Sequence, residues 1–346
     1  MTTAHPTGRA ARLHGRRDLR LHDEPAPRPG PGELVLRVTA VGLCGSDRHW
    51  YEEGEIGETG LAAPLVLGHE FAAVIEGGPR DGERVAVDPA DPCGRCDPCR
   101  HGQGHLCASM RFAGQAPTDG ALRTRMAWPA SRCVALPASI ADVEAPLLEV
   151  LGIALHAIDI AAIEPGMTAG VYGAGPIGLV LIRALRASGI HTIVATDRLG
   201  HRVAAALESG ATTALAVGDG VDAAASLPVD VAFECAGDDA ALDSAIRAVR
   251  PGGRVLLVGI PEGDRTAFPA SAARRKELTL RLVRRMQATD LRRAIELVAS
   301  GAIRLDGLVS HRLPLAAVSA AFELLAARSG LKIVVEPSGA GGEVAW

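Results

Sequence analysis

The sequence predicts an α/β protein of two domains, one β-rich and one built on a parallel sheet covered by helices. Three observations carry this. The chain has 346 residues, 48% of them hydrophobic, which is enough to bury two separate cores. Up to about residue 135 it reads as short apolar runs between Gly and Pro punctuation. From about 153 to 285 it changes to regular β-α alternation, the pattern of a parallel sheet with helices on both faces.

In chain order, residues 18–22 alternate like a strand, and strands follow over 34–41 (LVLRVTAV), 71–75 and 84–87. The alternating region gives strand 170–172, helix 177–187, strand 192–196, helix 200–208, strand 229–235, helix 239–249 and strand 254–259. A helix over 290–300 and two short apolar strands, 307–313 and 332–336, are placed to rejoin the first domain. There is no internal repeat and no low-complexity segment beyond a short glycine-containing tail.

A net charge of −4 with both signs interspersed offers no basic face to nucleic acid and no polybasic patch to a membrane, so the expected partner is a small molecule. The longest apolar stretches, such as 175–182, are cut by charge at Arg183 and fall short of the roughly 20 residues of a membrane span. No apolar signal core follows the Arg-rich segment 1–17, and the expected location is the cytoplasm. Lysine occurs only at 276 and 332, a bias that carries no functional conclusion by itself.

Gly173-Ala174-Gly175-Pro176-Ile177-Gly178 follows an apolar strand and opens a helix, the context that gives a GxGxxG its meaning. Gly173 serves the tight turn, Gly175 the approach of backbone to a pyrophosphate, and Gly178 close helix packing, with the helix N-terminus facing the anion. Asp197 lies 19 residues beyond Gly178, at the end of the next strand, where a carboxylate accepts both ribose hydroxyls and repels a 2′-phosphate. NAD is therefore expected over NADP, although Arg198 beside the acid is placed to meet a phosphate.

Cys93, Cys96, Cys99 and Cys107 have the spacing C-x2-C-x2-C-x7-C, and four thiolates in so short a stretch can close a tetrahedron around zinc. An iron–sulfur cluster competes, but its bacterial form has a tighter final spacing and a proline after the last cysteine, where this chain has Ala108. A closed four-thiolate site has no open position for substrate, so this zinc is expected to be structural. An open site requires other ligands, and Cys44, with His69-Glu70, supplies one thiolate, one imidazole and one carboxylate. Taken singly, a cysteine at a strand end is usually packing and a His-Glu pair usually surface.

Together, Cys44-Gly45-Ser46-Asp47 with His49, Gly68-His69-Glu70, the cysteine lobe and the loop Gly173 to Gly178 stand in one order. In this the chain resembles the zinc-containing medium-chain dehydrogenases/reductases over nearly its whole length. Within them it is most similar to the polyol (sorbitol/xylitol) dehydrogenase branch, through Tyr51 to Gly57 (YEEGEIG), Phe112 with Pro117-Thr118-Asp119-Gly120, and Leu148-Glu149-Val150-Leu151. The resemblance implies a GroES-like β-rich catalytic domain, 1–152 completed by 286–346, and a Rossmann NAD-binding domain, 153–285, with the active site in the cleft. It implies one catalytic and one structural zinc per chain.

By position, Cys44 and His69 become zinc ligands, with Glu70 as third ligand and Glu149 binding directly or through a water. Which carboxylate binds stays open. Ser46 would sit beside the substrate oxygen and pass its proton through the ribose hydroxyl to His49 and then to solvent. Tyr51, Phe112 and Arg285 become substrate contacts, although Met286 stands where the branch usually has an aromatic. Cys133 and Cys235 are expected to be packing residues. The implied reaction is hydride transfer between a polyol-like secondary alcohol and NAD, in a homodimer or homotetramer assembled through the Rossmann domains. Another polar secondary alcohol, such as threonine, a cyclitol or an aminocyclitol, is the alternative substrate. A non-catalytic NAD-binding protein is the alternative class, and it would have no need of Cys44, Ser46, His49, His69 and Glu70 together.

Overall fold

The computed structural model describes residues 8–218, 227–263 and 265–339, so the glycine-containing tail and the first residues of the Arg-rich segment lie outside it. The chain divides into two compact units. The first takes Met1–Glu149, Gln287–Ala299 and Val309–Trp346, and the second takes Val150–Met286 and Ser300–Leu308.

The first unit opens with β1 (Gly8–Gly15), β2 (Asp18–Glu24), β3 (Glu33–Gly42), α1 (Gly45–Glu53), β4 (Glu55–Ile56), β5 (Thr59–Gly60) and β6 (Leu65–Val66). It continues through β7 (Glu70–Glu76), β8 (Arg84–Val87), β9 (Ala90–Asp91), α2 (Asp97–Arg100), β10 (Arg111–Phe112), β11 (Arg125–Pro129) and β12 (Cys133–Ala135). Helix α3 (Leu147–Ala161) then leads into the second unit, which holds β13 (Thr168–Tyr172), α4 (Pro176–Ala187), β14 (Thr192–Asp197), α5 (Gly200–Glu208) and β15 (Thr213–Ala216). After these come β16 (Val229–Glu234), α6 (Asp239–Ala248), β17 (Val249–Leu257), α7 (Ala270–Arg275) and β18 (Thr279–Leu282). The C-terminal part contributes α8 (Asp290–Ala299), β19 (Val309–Pro314), α9 (Val318–Ala326) and β20 (Lys332–Glu336).

In the first unit a seven-stranded sheet runs β12-β8-β7-β3-β20-β19, with β11 also pairing with β3. Strand β3 is its hub, because the alternation of ELVLRVTAVG turns Leu36, Val38 and Ala40 into the core and leaves both backbone edges to partners. The C-terminal strand β20 pairs antiparallel with β3, so residues near 334 do complete the β-rich unit. The core gathers Leu36, Val38, Phe71, Ile75, Trp128 and Phe322.

In the second unit six parallel strands run β15-β14-β13-β16-β17-β18, with the order reversing between β13 and β16. The inner strands TAGVY and VDVAFE are buried nearly throughout, as strands covered on both faces must be. Their core includes Tyr172, Val194, Leu242, Ile246 and Val255. Residues 300–308 lie with this unit, where Arg183 donates to the carbonyls of Arg304 (2.6 Å) and Asp306 (3.0 Å). Among the described residues no helix is long and apolar enough to cross a membrane.

Candidate active site

Cys44 is placed by a reciprocal cap on α1. Its backbone N–H donates to Asp47 Oδ2 (2.9 Å), and its sulfur accepts from the backbone of Asp47, so the helix start holds the thiol rigid. Asp47 is fully buried, and its other oxygen receives the Gly68 N–H (3.3 Å) and stands 3.8 Å from His69 Nδ1. One carboxylate thus ties the Cys44 turn to the backbone ahead of β7 by hydrogen bonds and stands close to the imidazole of His69.

Glu70 begins β7 and is set by register: it faces Gly42 of β3, which in turn faces Val334 of β20. A Cβ at position 42 would collide with Glu70 Oε2 and lie 2.9 Å from Pro146 Cβ, so glycine there makes the room the carboxylate occupies. Lys332, at the start of β20 and 1% exposed, ion-pairs with Glu70 Oε2 and donates to Leu43 O (3.0 Å). A single liganding atom from each of Cys44, His69 and Glu70 lies within 4.8 Å of the others. Glu149, in the first turn of α3, does not join that cluster but is buried beside it, and among the described residues its Oε2 has no hydrogen-bond partner.

The electrostatics of this pocket are unbalanced. Burial pushes the Cys44 thiol up to about 12, with Glu70 adding repulsion, and burial pushes Glu149 up to about 8 in spite of His69 nearby. Asp47 is raised by burial as well. Four acidic groups, Cys44, Asp47, Glu70 and Glu149, therefore face one ammonium, that of Lys332. A divalent cation supplies the missing charge, and one thiolate, one imidazole and a carboxylate are a donor set suited to zinc.

The expected site residues are not all brought here. Ser46 is half-buried on α1 and hydrogen-bonds the Cys44 thiol. Phe112 lies against the imidazole of His69, with ring centroids 5.5 Å apart at 46°. His49, expected to open to solvent, is instead buried, and its Nδ1 is 2.7 Å from Glu53 Oε1 one turn on. Tyr51, expected at substrate, is a core residue: its hydroxyl donates to Glu323 (2.7 Å) and its ring packs on Phe322. The helical period explains the difference, since 46 and 51 point to different sides of α1. Arg285 belongs to the second unit with a left-handed φ of 57°. Asp47, Lys332 and Glu53 are the residues that sequence reasoning did not single out. The two cluster-facing groups among them had weak signals, a place inside the Cys44 motif and the rarity of lysine.

The second cluster is Cys93, Cys96, Cys99 and Cys107, whose sulfurs also lie within 4.8 Å of one another. Cys96 Sγ is 3.4 Å from Cys99 Sγ and 3.7 Å from Cys107 Sγ. Tetrahedral zinc with Zn–S near 2.3 Å requires sulfurs roughly 3.8 Å apart, so the set is close to closed. Backbone N–H groups of Arg95 and Cys96 hold the Cys93 thiol down at about 6, which favours the thiolate a metal needs. Cys133 and Cys235 are buried apart from both clusters.

In the second unit Gly173 adopts φ 105° and packs against the turn after β16, where a Cβ would lie 2.6 Å from Ala236 N. A Cβ at Gly178 would meet Gly173 O, so the helix starts as close to the strand as backbone allows. Gly175 caps α4 with no side-chain hydrogen bond, Pro176 takes its first turn and Ile177 follows. Asp197 is buried and accepts from Ala174 N (2.8 Å) and Leu199 N (2.9 Å), tying the loop to the end of β14. The neighbouring Arg198 is paired with Asp238 (3.0 Å). Arg202 adds a guanidinium beside the loop, 3.4 Å from where a Gly175 Cβ would stand.

Comparison with known proteins agrees with this geometry. Residues 30–138 match the alcohol dehydrogenase GroES-like domain, and residues 176–300 match the zinc-binding dehydrogenase family. The sorbitol dehydrogenase of Bacillus subtilis (strain 168) is 33% identical over 344 residues, covering 95% of this chain and 97% of that protein. Among solved structures, a zinc-binding dehydrogenase of Sinorhizobium meliloti 1021 bound to NADP is similar with a TM-score of 0.86 at 29% identity, over 96% of this chain and 100% of that one. L-idonate 5-dehydrogenase of Escherichia coli gives 0.85 at 26% identity, over 96% and 99%. With two metal-ligand clusters, a dinucleotide loop and these relatives in agreement, the chain belongs to the zinc-containing medium-chain dehydrogenase/reductase family, in its polyol dehydrogenase branch, and is an oxidoreductase of zinc and a nicotinamide cofactor.

Proposed function

We propose that the chain is an NAD-linked dehydrogenase of polyol-like secondary alcohols. The observation that carries this is the excess of buried acid around Cys44, His69 and Glu70, with Glu149 Oε2 left without a partner among the described residues. In an aliphatic-alcohol site a second buried carboxylate has nothing to bind, whereas a polyol offers further hydroxyls as donors to it. The relatives named sorbitol dehydrogenase and L-idonate 5-dehydrogenase support the same substrate class.

When bound, zinc supplies the Lewis acidity that eases loss of the hydroxyl proton, and the dinucleotide takes the hydride. Cys44, His69 and Glu70 would hold that zinc, with Glu149 buried beside them. Lys332 fixes Glu70, and Asp47 fixes the Cys44 turn and stands close to His69. Ser46 Oγ takes the departing proton, and His49 carries it along the same helix. Its exit is Glu53, since Glu53 is 2.7 Å from His49 Nδ1 and has a 30% exposed side chain where His49 has 5%. Cys93, Cys96, Cys99 and Cys107 would hold a structural zinc.

NAD over NADP is supported by Asp197 at the end of β14, and by the pairing of Arg198 with Asp238. Assembly into a homodimer or homotetramer through the second unit is supported by its edge strand β18, which has one unpaired side and Leu282 75% exposed. A cytoplasmic location is supported by the two cysteine-containing metal clusters, whose thiolates need a reducing compartment. The test is a rate panel of polyols, cyclitols and amino alcohols with NAD and NADP side by side. Polyols with NAD are expected to be turned over fastest. A preference for threonine or a cyclitol would reassign the substrate, activity with NADP alone would overturn the role of Asp197, and full activity of Cys44→Ser would overturn the metal site.

A further inference from the structure

Glu234 ends β16 as a carboxylate only 3% exposed, and among the described residues no cation is paired with it. Its Oε1 accepts from Ala236 N (2.6 Å) and Gly237 N (2.7 Å), which folds the turn 235–237 around it. Its Oε2 faces Gly259, where a Cβ would stand 2.9 Å away. Its main-chain oxygen accepts from Val258 N (2.8 Å) and Gly259 N (3.0 Å), beyond the end of β17. The next residue, Cys235, donates its N–H to Tyr172 O (2.7 Å) at the end of β13, and Ala236 supports Gly173 of the phosphate loop. Glu234 and the turn it folds therefore tie together the carboxyl ends of β13, β16 and β17.

These are the strand ends around the reversal of strand order, the place where open parallel sheets bind their ligands. Asp197 on β14 assigns the adenosine half to the β14 side, and the pyrophosphate belongs to the loop before α4. The other half of the dinucleotide then extends over β16, the strand that Glu234 terminates. The oxidised nicotinamide ring is cationic and the reduced ring is neutral. A buried carboxylate without a counter-ion distinguishes the two.

We propose that Glu234 is a positioning residue for the nicotinamide half of the cofactor, shaping the turn 235–237 beneath it and, by its charge, holding the oxidised ring more tightly than the reduced one. Burial pushes Glu234 up to about 7 against the backbone N–H groups of Gly237, Ala236 and Asp238, with the Asp238 carboxylate adding repulsion, so the charge is present above neutral pH. The ionisable neighbours acting on it are Asp238, itself held by Arg198 and capping α6, and the buried Cys235 thiol. Charge interactions of this kind act over several ångströms in a low-dielectric setting, enough for about a tenfold effect on affinity.

This inference rests on the dinucleotide-dependent activity proposed above. Calorimetric titration of the zinc-loaded protein with NAD and with NADH at pH 8.5 tests both, with NADP and NADPH alongside, on the wild type, Glu234→Gln and Glu234→Ala. Glu234→Gln keeps an acceptor for the two N–H groups and removes the charge. It is expected to weaken NAD about tenfold and leave NADH within about twofold. That change raises the potential of the bound couple by about 30 mV, the value of one decade for two electrons. Glu234→Ala, which also frees the turn, is expected to weaken both forms. Equal weakening of both forms by Glu234→Gln, or no change in either, overturns the charge role, and retention of NADH affinity in a folded Glu234→Ala overturns the positioning role. If Glu234→Ala does not fold, as thermal melting would show, Glu234→Gln alone decides. A folded wild type that bound none of the four dinucleotides would instead overturn the cofactor assignment from which the inference starts.

Discussion

Lys332 and Lys276 are the two lysines of an arginine-rich chain; Lys332 is buried and Lys276 half-buried, and both ammonium groups donate to backbone carbonyls. Lys276 Nζ donates to Ile246 O (3.2 Å), Val249 O (2.7 Å) and Arg247 O, closing the C-terminus of α6. Lys332 is wedged between Glu70 and Leu43 O. A compact point charge with three donors serves such sites better than the broad planar fork of arginine. Lys332→Met leaves Glu70 as a buried carboxylate without its partner, and the unfolding free energy of metal-stripped protein is expected to fall by about 3–5 kcal/mol. Urea unfolding measures this, and zinc, by taking over the charge, should return part of the loss. A change below about 1 kcal/mol would mean that Lys332 is not the group that compensates Glu70. The buried Glu234 carries a pH dependence of its own. Its folded value near 7 exceeds the ordinary glutamate value of 4.5, so the folded state binds the extra proton and stability is lost as pH rises from about 4.5 to 7. The total is about 3 kcal/mol at 1.36 kcal/mol per unit. Urea midpoints from pH 4.5 to 8.5 should show wild type declining against Glu234→Gln across that window and running parallel above it.

Among the elements, β3 shows how a sheet prepares a site. Its last residue, Gly42, stands between Glu70 of β7 and Val334 of β20, and the carboxylate fills the space a side chain would take. Gly42→Ala is expected to leave the fold intact, as circular dichroism would report, while displacing Glu70. A misplacement of about 1 Å in such a site costs on the order of 100-fold in rate. Activity within a few-fold of wild type would show that Glu70 needs no such fixed place. Strands 84–87 and 332–336 and helix 200–208 are legible to the residue, because period and punctuation agree there. Helices α1 and α9 are not. The segment GSDRHWYEE has little apolar periodicity and becomes helical through its cap at Cys44 and Asp47. Strand β17 begins at Val249 rather than near 254, because Val249 already pairs with Val229 of β16 before an irregularity at Pro251-Gly252-Gly253, after which pairing resumes at Arg254.

For the whole molecule, two separate metal clusters predict two zinc ions per chain. Elemental analysis should give a zinc-to-chain ratio near two, falling to one in Cys44→Ser with the fold kept and to one in Cys107→Ser with the lobe loosened. A ratio unchanged in Cys44→Ser would remove that cysteine from the ligand set. The features that sequence alone determined are those whose parts lie close along the chain. The four cysteines fall between 93 and 107 and the dinucleotide loop between 173 and 178, where spacing dictates geometry almost without help from the fold. Cys44 and His69-Glu70 were legible as residues because the order of motifs matched a family, but their convergence was not. Tertiary structure decided that Lys332 meets Glu70 across 262 positions, that Asp47 serves Cys44 and His69 at once, and that Tyr51 turns to Glu323. The physical reason is register. Which side chains become neighbours across β7, β3 and β20 depends on strand pairing between distant segments, and a shift of one residue would reverse every side chain to the opposite face.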